Sequence, residues 1–206
     1  MKKIIIRQYD PARELEWLDV HASVMVDSAA WWTVLHKKPR YDQPVVDLIV
    51  LLDNRIVGFI VVEINSSLIP EHNPAGFVWE FGVQRDHRGQ DIGAELIHEA
   101  HKIMKRKHNI AKSIWYSQEP RAQQYYRRLG MHEVGQHWQF SIEPDEEMKK
   151  QFKRDGFDCW NLRGSCAVED FDRVSSRFKI IQDDDTLKPR LCIGFEYIPA
   201  DIRDSS

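Results

Sequence analysis

The sequence predicts a mixed α/β fold, a sheet of mixed strand direction covered by helices. Three observations carry this. The stretch Val78–Gly93, VWEFGVQRDHRGQDIG, passes from a two-residue period to a helical one across a turn containing Arg and Gly. Two apolar runs, Val45–Leu52 and Arg55–Ile64, meet at Asp53-Asn54, a two-residue connection of the β-hairpin kind. Strand-like and helix-like segments then alternate from Phe77 to Ile142.

Taken in order, Ile4, Ile5 and Ile6 form a first strand. Asp10-Pro11 caps a helix that runs to about Val26, with Leu15, Leu18, Ala22 and Met25 at helical spacing. A second short helix is expected over Ala29–His36, with Trp31, Trp32 and Leu35. Lys37–Pro44 is polar, holds two prolines and reads as a loop. The hairpin follows, then the loop Ser66–Pro74 and a strand over Phe77–Gln84. In that strand Phe77, Trp79, Phe81 and Val83 alternate with Val78, Glu80, Gly82 and Gln84, which predicts two opposite faces. Gly82 marks a close approach by a ligand or a bulge.

The next helix, ending near Lys107, carries Ile92, Leu96, Ala100, Ile103 and Met104 on one face. Ser113–Ser117 is a short strand. Pro120–Leu129 is a helix opening on proline and closing at Gly130, and Glu133–Ile142 is again a strand. Further on, Pro144–Arg154 reads as a helix, Gly156–Arg173 as irregular, and Arg177–Gln182 and Arg190–Ile198 as strands.

Glycines at a strand-to-helix turn let backbone N–H groups approach a ligand, and the helix N-terminus adds partial positive charge, so the turn after Gln84 suits a phosphate. It is neither a Walker A loop nor G-x-G-x-x-G. Arg88-Gly89-Gln90-Asp91-Ile92-Gly93-Ala94 resembles instead the Q/R-x-x-G-x-G/A loop of the GNAT superfamily of acyl-CoA-dependent N-acetyltransferases, with Asp91 where the family's middle glycine stands. Ala122-Gln123-Gln124-Tyr125-Tyr126-Arg127-Arg128-Leu129-Gly130-Met131 is similar to a second pattern of that superfamily, A-x-x-φ-Y-x-x-x-G-F. The two motifs stand in the family's order, separated by one helix and one strand. The resemblance covers roughly residues 3–142.

It implies a central, mostly antiparallel sheet of about seven strands flanked by helices. It also implies acetyl transfer from acetyl-CoA to a primary amine by direct attack. The alternative is a GNAT-like domain that binds or senses acyl-CoA without turnover, an alternative Asp91 favours because its carboxylate would repel a phosphate by about 1 kcal/mol when solvated. The backbone of Arg88, Gly89, Gln90, Asp91, Ile92, Gly93 and Ala94 would hold the pyrophosphate. Phe81 and Val83 would line the pantetheine arm, in a gap left where this strand splays from Ser113–Ser117. A backbone N–H near Val83 would polarise the thioester carbonyl. Tyr126 would protonate the departing thiolate. Glu80 is the candidate base, with Glu63 competing. Tyr125 is read as packing.

The remaining features set bounds. A chain of 206 residues with 42% hydrophobic and 30% charged residues fits one large domain or a domain with an appendage. A formal net charge of −3 argues against a nucleic-acid partner. No apolar stretch approaches a membrane span or a signal-peptide core. Cys159, Cys166 and Cys192 form no CxxC pair, which favours free thiols in the cytoplasm. His98 and His101 with Glu95 read as a surface stripe, and no metal site is expected. The family admits a homodimer. Residues 1–142 are the expected core; within 143–206, residues 143–189 read as an insertion before a final strand at 190–198, with Trp160 and the aspartates at 183–185 as candidate amine-binding groups.

Overall fold

A computed structural model describes residues 4–26, 28, 34–156 and 158–203. Eight strands form one sheet: β1 (Ile4–Gln8), β2 (Val45–Leu52), β3 (Arg55–Ile64), β4 (Gly76–Val83), β5 (Ser113–Ser117), β6 (His132–Ile142), β7 (Leu162–Ala167) and β8 (Arg190–Tyr197). Their spatial order is β1-β2-β3-β4-β5-β8-β6-β7. Six of the seven pairings are antiparallel; the β4–β5 pair alone is parallel. The helices are α1 (Glu14–Met25), α2 (Ile92–His108), α3 (Pro120–Arg128), α4 (Glu146–Arg154), α5 (Phe171–Arg177) and α6 (Ala200–Arg203).

Local chemistry fixes the first hairpin. Asp53 and Asn54 both hold positive φ, 49° and 62°, the combination that lets a two-residue turn follow the twist of its strands. The sheet's two faces then collect different helices. One face carries Val50, Ile60, Val62, Val78 and Phe195 against Leu96, Ala100 and Met104 of α2 and Tyr126 of α3. The other packs Ile49, Phe59 and Val61 against Trp17, Val20 and Val24 of α1.

Several expectations change. Leu162–Ala167 pairs with the outer edge of β6 and Phe171–Arg177 is helical, where an irregular stretch was expected. The strand LRGSCA is a half-exposed edge with a glycine and little β-branching, so it lacks a clean alternation. Arg177–Gln182 is not a strand: α5 occupies its start, and Ile180 alone bridges to Ile142. Of the helix expected over 29–36, residues 29–33 lie outside the described residues, and Val34, Leu35 and His36 are not helical. β8 inserts between β5 and β6, antiparallel to both.

The main correction falls on β4. Its register against β3 shifts by one residue, from Val61 opposite Glu80 to Val62 opposite Val78, leaving Trp79 as the extra residue of a β-bulge. The simple alternation therefore breaks at Trp79. Val78 shares the α2 face with Phe81 and Val83, while Phe77 and Trp79 do not. Gly82 does mark a close approach, but by protein: a Cβ there would collide with Val24 of α1.

His101 also departs from expectation. It is fully buried and ties α2 to β5. Its Nδ1 lies 2.8 Å from the Ile97 carbonyl oxygen, which can only accept, so the proton sits on Nδ1. Nε2 then accepts from the Ser113 hydroxyl at 2.8 Å, and Ser113 in turn accepts from Trp115 Nε1 at 2.7 Å. Burial pulls the His101 pKa down from 6.5 to about 4. His98, by contrast, is half-exposed and sits 3.5 Å from Asp201.

Candidate active site

The parallel pairing of β4 with β5 covers only Gly76 with Ser113 and Phe77 with Ile114. Beyond it the two strands separate, and the rest of β4 leaves one edge unpaired by β5. Which groups face that gap follows from the β3 side. Gln84 N–H donates to Val57 O at 2.9 Å, towards β3. N–H and C=O groups alternate edges along a strand, so Val83 and Phe81 present theirs to the gap. Arg88 Nε donates to Val83 O at 2.8 Å, from that same edge.

The loop after β4 is an exposed turn ending at the αL residue Asp91, φ 58°. Asp91 thus keeps the backbone form that glycine adopts freely and that Asp tolerates better than most residues. It occupies the N-cap position of α2 without making a side-chain cap hydrogen bond. The first α2 bond is Glu95 N–H to Asp91 O, 3.0 Å. Among the described residues the N–H groups of Gly89, Gln90, Asp91, Ile92, Gly93 and Ala94 have no acceptor, whereas that of Arg88 is used by Arg85 O at 3.2 Å. A run of free donors at a helix N-terminus is an anion cradle. Arg85 and Arg121 lie near enough to Arg88 to help burial push its pKa down, so three guanidinium groups gather there.

Aromatic rings line the gap. Phe81 meets Trp115 edge-on at 5.4 Å and stacks on Tyr125 at 6.3 Å. Tyr126 packs beneath, 5.1 Å from Trp115 and 5.4 Å from Phe195, and is only 7% exposed. Burial raises its phenol pKa well above 10. Tyr125, expected to face elsewhere, reaches the loop instead. Its hydroxyl would lie 2.9 Å from a Cβ on Gly93, so that position has no room for a side chain. The adjacent Tyr-Tyr pair hid this, because a pattern match favours one tyrosine only.

Glu80 turns to the α1 face, where the fully buried His21 donates Nε2–H to its Oε2 at 3.1 Å. His21 Nδ1 has no partner. Glu63, the competing carboxylate, is buried and committed: it accepts from Trp79 Nε1 at 3.0 Å and from Gln43 N–H at 3.2 Å. His21 lies on an apolar helix face, and nothing in the sequence tied it to a strand 59 residues away. Glu119 N-caps α3 through Arg121 N–H. In the C-terminal part Trp160 is 84% exposed, Asp184 caps its own turn at Thr186, and Asp185 pairs with Lys188. Among the described residues no group of three or more His, Cys, Asp or Glu is placed to hold a metal ion, and no helix is long and apolar enough to cross a membrane.

A sequence profile described as the acetyltransferase (GNAT) family matches residues 6–131. No curated relative matches the chain. Solved structures resemble it in fold at low identity. The PaiA N-acetyltransferase of Thermoplasma acidophilum, solved with coenzyme A, is 16% identical; the match covers 70% of this chain and 94% of that one with a TM-score of 0.52. The ribosomal-protein-S18-alanine N-acetyltransferase of Escherichia coli is 8% identical, covering 95% and 94% at 0.54. NAA60 of Arabidopsis thaliana, solved with a bisubstrate analogue, is 12% identical, covering 95% and 98% at 0.53.

Proposed function

The chain belongs to the acetyltransferase (GNAT) family, and from that premise we propose that it moves an acetyl group from acetyl-CoA to the primary amine of an acceptor by direct transfer. The observation that carries the reading is the juxtaposition of the free N–H run at Gly89–Ala94 with the unpaired β4 edge. One element binds a pyrophosphate, and the other offers strand-like hydrogen bonds to an amide-containing arm. That the Thermoplasma neighbour was solved with coenzyme A supports the same ligand.

Acetyl-CoA supplies an acyl group activated as a thioester. The loop backbone of Gly89 to Ala94 anchors the phosphates, with Arg88, whose own N–H is taken by Arg85, bracing the loop against Val83. The edge groups of Phe81 and Val83 orient the arm, and a Val83 N–H directed at the carbonyl oxygen stabilises the charge developing there. Glu80 takes a proton from the acceptor amine, directly or through water. The nitrogen then forms its bond to the carbonyl carbon as the carbon–sulfur bond breaks, and the surplus proton on the new amide nitrogen leaves to solvent. Tyr126 gives its phenolic proton to the leaving sulfur and recovers one from solvent. The raised phenol pKa keeps Tyr126 protonated until that moment. Residues 143–189 are read as an insertion that brings α4, β7 and α5 before the final strand β8.

A second reading, a domain that binds acyl-CoA without turnover, is favoured by one observation: the Asp91 carboxylate stands uncapped at the phosphate cradle. Release of CoA thiol from acetyl-CoA across a panel of primary amines separates the two. Amine-dependent release supports the transferase; tight CoA binding with no release under any amine supports the second reading.

A further inference from the structure

We propose that the acceptor is a primary amine carried on an aryl-alkyl body, held by its ammonium between Trp79 and Glu80. This rests on the transferase reading above and specifies the substrate class of that same site. The carrying observation is the β4 bulge. A regular strand would send residues 79 and 80 to opposite faces. The bulge places both on the α1 side: Glu80 contacts His21 of α1, and Trp79 bonds Glu63, whose register partner Phe77 lies on that face too. An indole face and a carboxylate side by side are the two groups that recognise an ammonium, by cation–π attraction and by charge.

The surroundings extend the match. The Trp79 indole is fixed by its 3.0 Å bond to Glu63 and yet remains 41% exposed. Tyr41 lies 5.8 Å from it, and Phe77 meets it edge-on at 5.1 Å. Phe77 continues to Tyr116 on β5 at 6.4 Å, and Tyr116 is 38% exposed. Tyr116 lies against Gly194, where a Cβ would come within 2.8 Å of its ring, so that position has no room for a side chain. The result is a continuous aromatic strip that crosses from β4 to β5 beside the last paired residues, Phe77 and Ile114, where the gap begins. Exposed aromatic surface at that place, with a carboxylate at one end, matches a cationic head on an apolar tail. Glu80 is then both the ammonium's counter-charge and the group that takes its proton before attack.

The test uses the full chain saturated with CoA and three probes, titrated calorimetrically: 2-phenylethylamine, ethylamine and 3-phenylpropionate. The proposal expects 2-phenylethylamine to bind at least about tenfold more tightly than either of the others, because ethylamine lacks the ring and phenylpropionate reverses the charge. Trp79→Ala, a change at an exposed position, should remove most of that preference while leaving CoA affinity unaltered. Equal binding of the two amines, or equal binding of amine and carboxylate, overturns the proposal while CoA binding leaves the transferase reading standing. Failure to bind CoA in the first place overturns the reading on which it rests.

Discussion

The imidazole of His21 on α1, with no exposed surface, donates to the Glu80 carboxylate on β4 across 3.1 Å. The bond holds one carboxylate oxygen on the α1 side of the sheet and leaves the other free for a proton. Because the Glu80 side chain is 14% exposed, it stays within reach of a substrate. Glu80→Gln should therefore lower kcat by about 10²- to 10⁴-fold with an accepted amine, the usual range for removing a general base, without weakening acetyl-CoA binding. Thiol-release kinetics and a parallel CoA titration measure the two effects. An unaltered kcat would transfer the role to water.

The two adjacent tyrosines can be separated by single oxygen deletions. Tyr126→Phe should reduce kcat and change its pH dependence, while Tyr125→Phe should chiefly alter CoA affinity, because the Tyr125 hydroxyl lies over Gly93 at the loop. Both replacements keep ring volume and should preserve the fold. A kcat unchanged across pH in Tyr126→Phe, with a loss in Tyr125→Phe, would reassign the acid to Tyr125.

Asp91→Gly should act in two ways. It removes a carboxylate from the phosphate cradle and so should tighten CoA binding severalfold. It also relieves the αL conformation at φ 58°, worth about 1 kcal/mol, which predicts a Tm rise of about 2–4 °C. Calorimetry and thermal unfolding test these separately. Unchanged affinity would mean that the carboxylate points away from the phosphates.

His101 predicts an acid-sensitive core. Its folded pKa, about 4, lies below its ordinary 6.5, so the unfolded chain binds the extra proton first. The stability it contributes is complete above 6.5 and is lost as pH falls towards 4, by about 3 kcal/mol in total. Denaturant unfolding at pH 7 and pH 4.5 should show a smaller drop for His101→Gln than for the unaltered chain. An equal drop would assign the acid sensitivity to the carboxylates.

Much of this was legible in the sequence, for identifiable reasons. The β2–β3 hairpin and β5 appear at their expected bounds because their apolar runs are short and sharply terminated. The loop and the Ala122–Met131 segment could be recognised by spacing. The bulge at Trp79 could not: a bulge leaves the apolar pattern looking intact while exchanging faces beyond it. His21 and His101 were equally hidden. Each hydrogen-bonds to a partner on another element, His21 to Glu80 and His101 to Ser113, and periodicity reports only which side of an element is apolar. The strand β7 escaped because an edge strand needs little apolar character.

The loop and the open β4 edge together form the proposed acetyl-CoA site. Calorimetric titration of the purified chain with acetyl-CoA, beside CoA lacking the acyl group, tests it most directly. Micromolar binding of both is expected, carried by the phosphates they share. Absence of binding at millimolar ligand would contradict it.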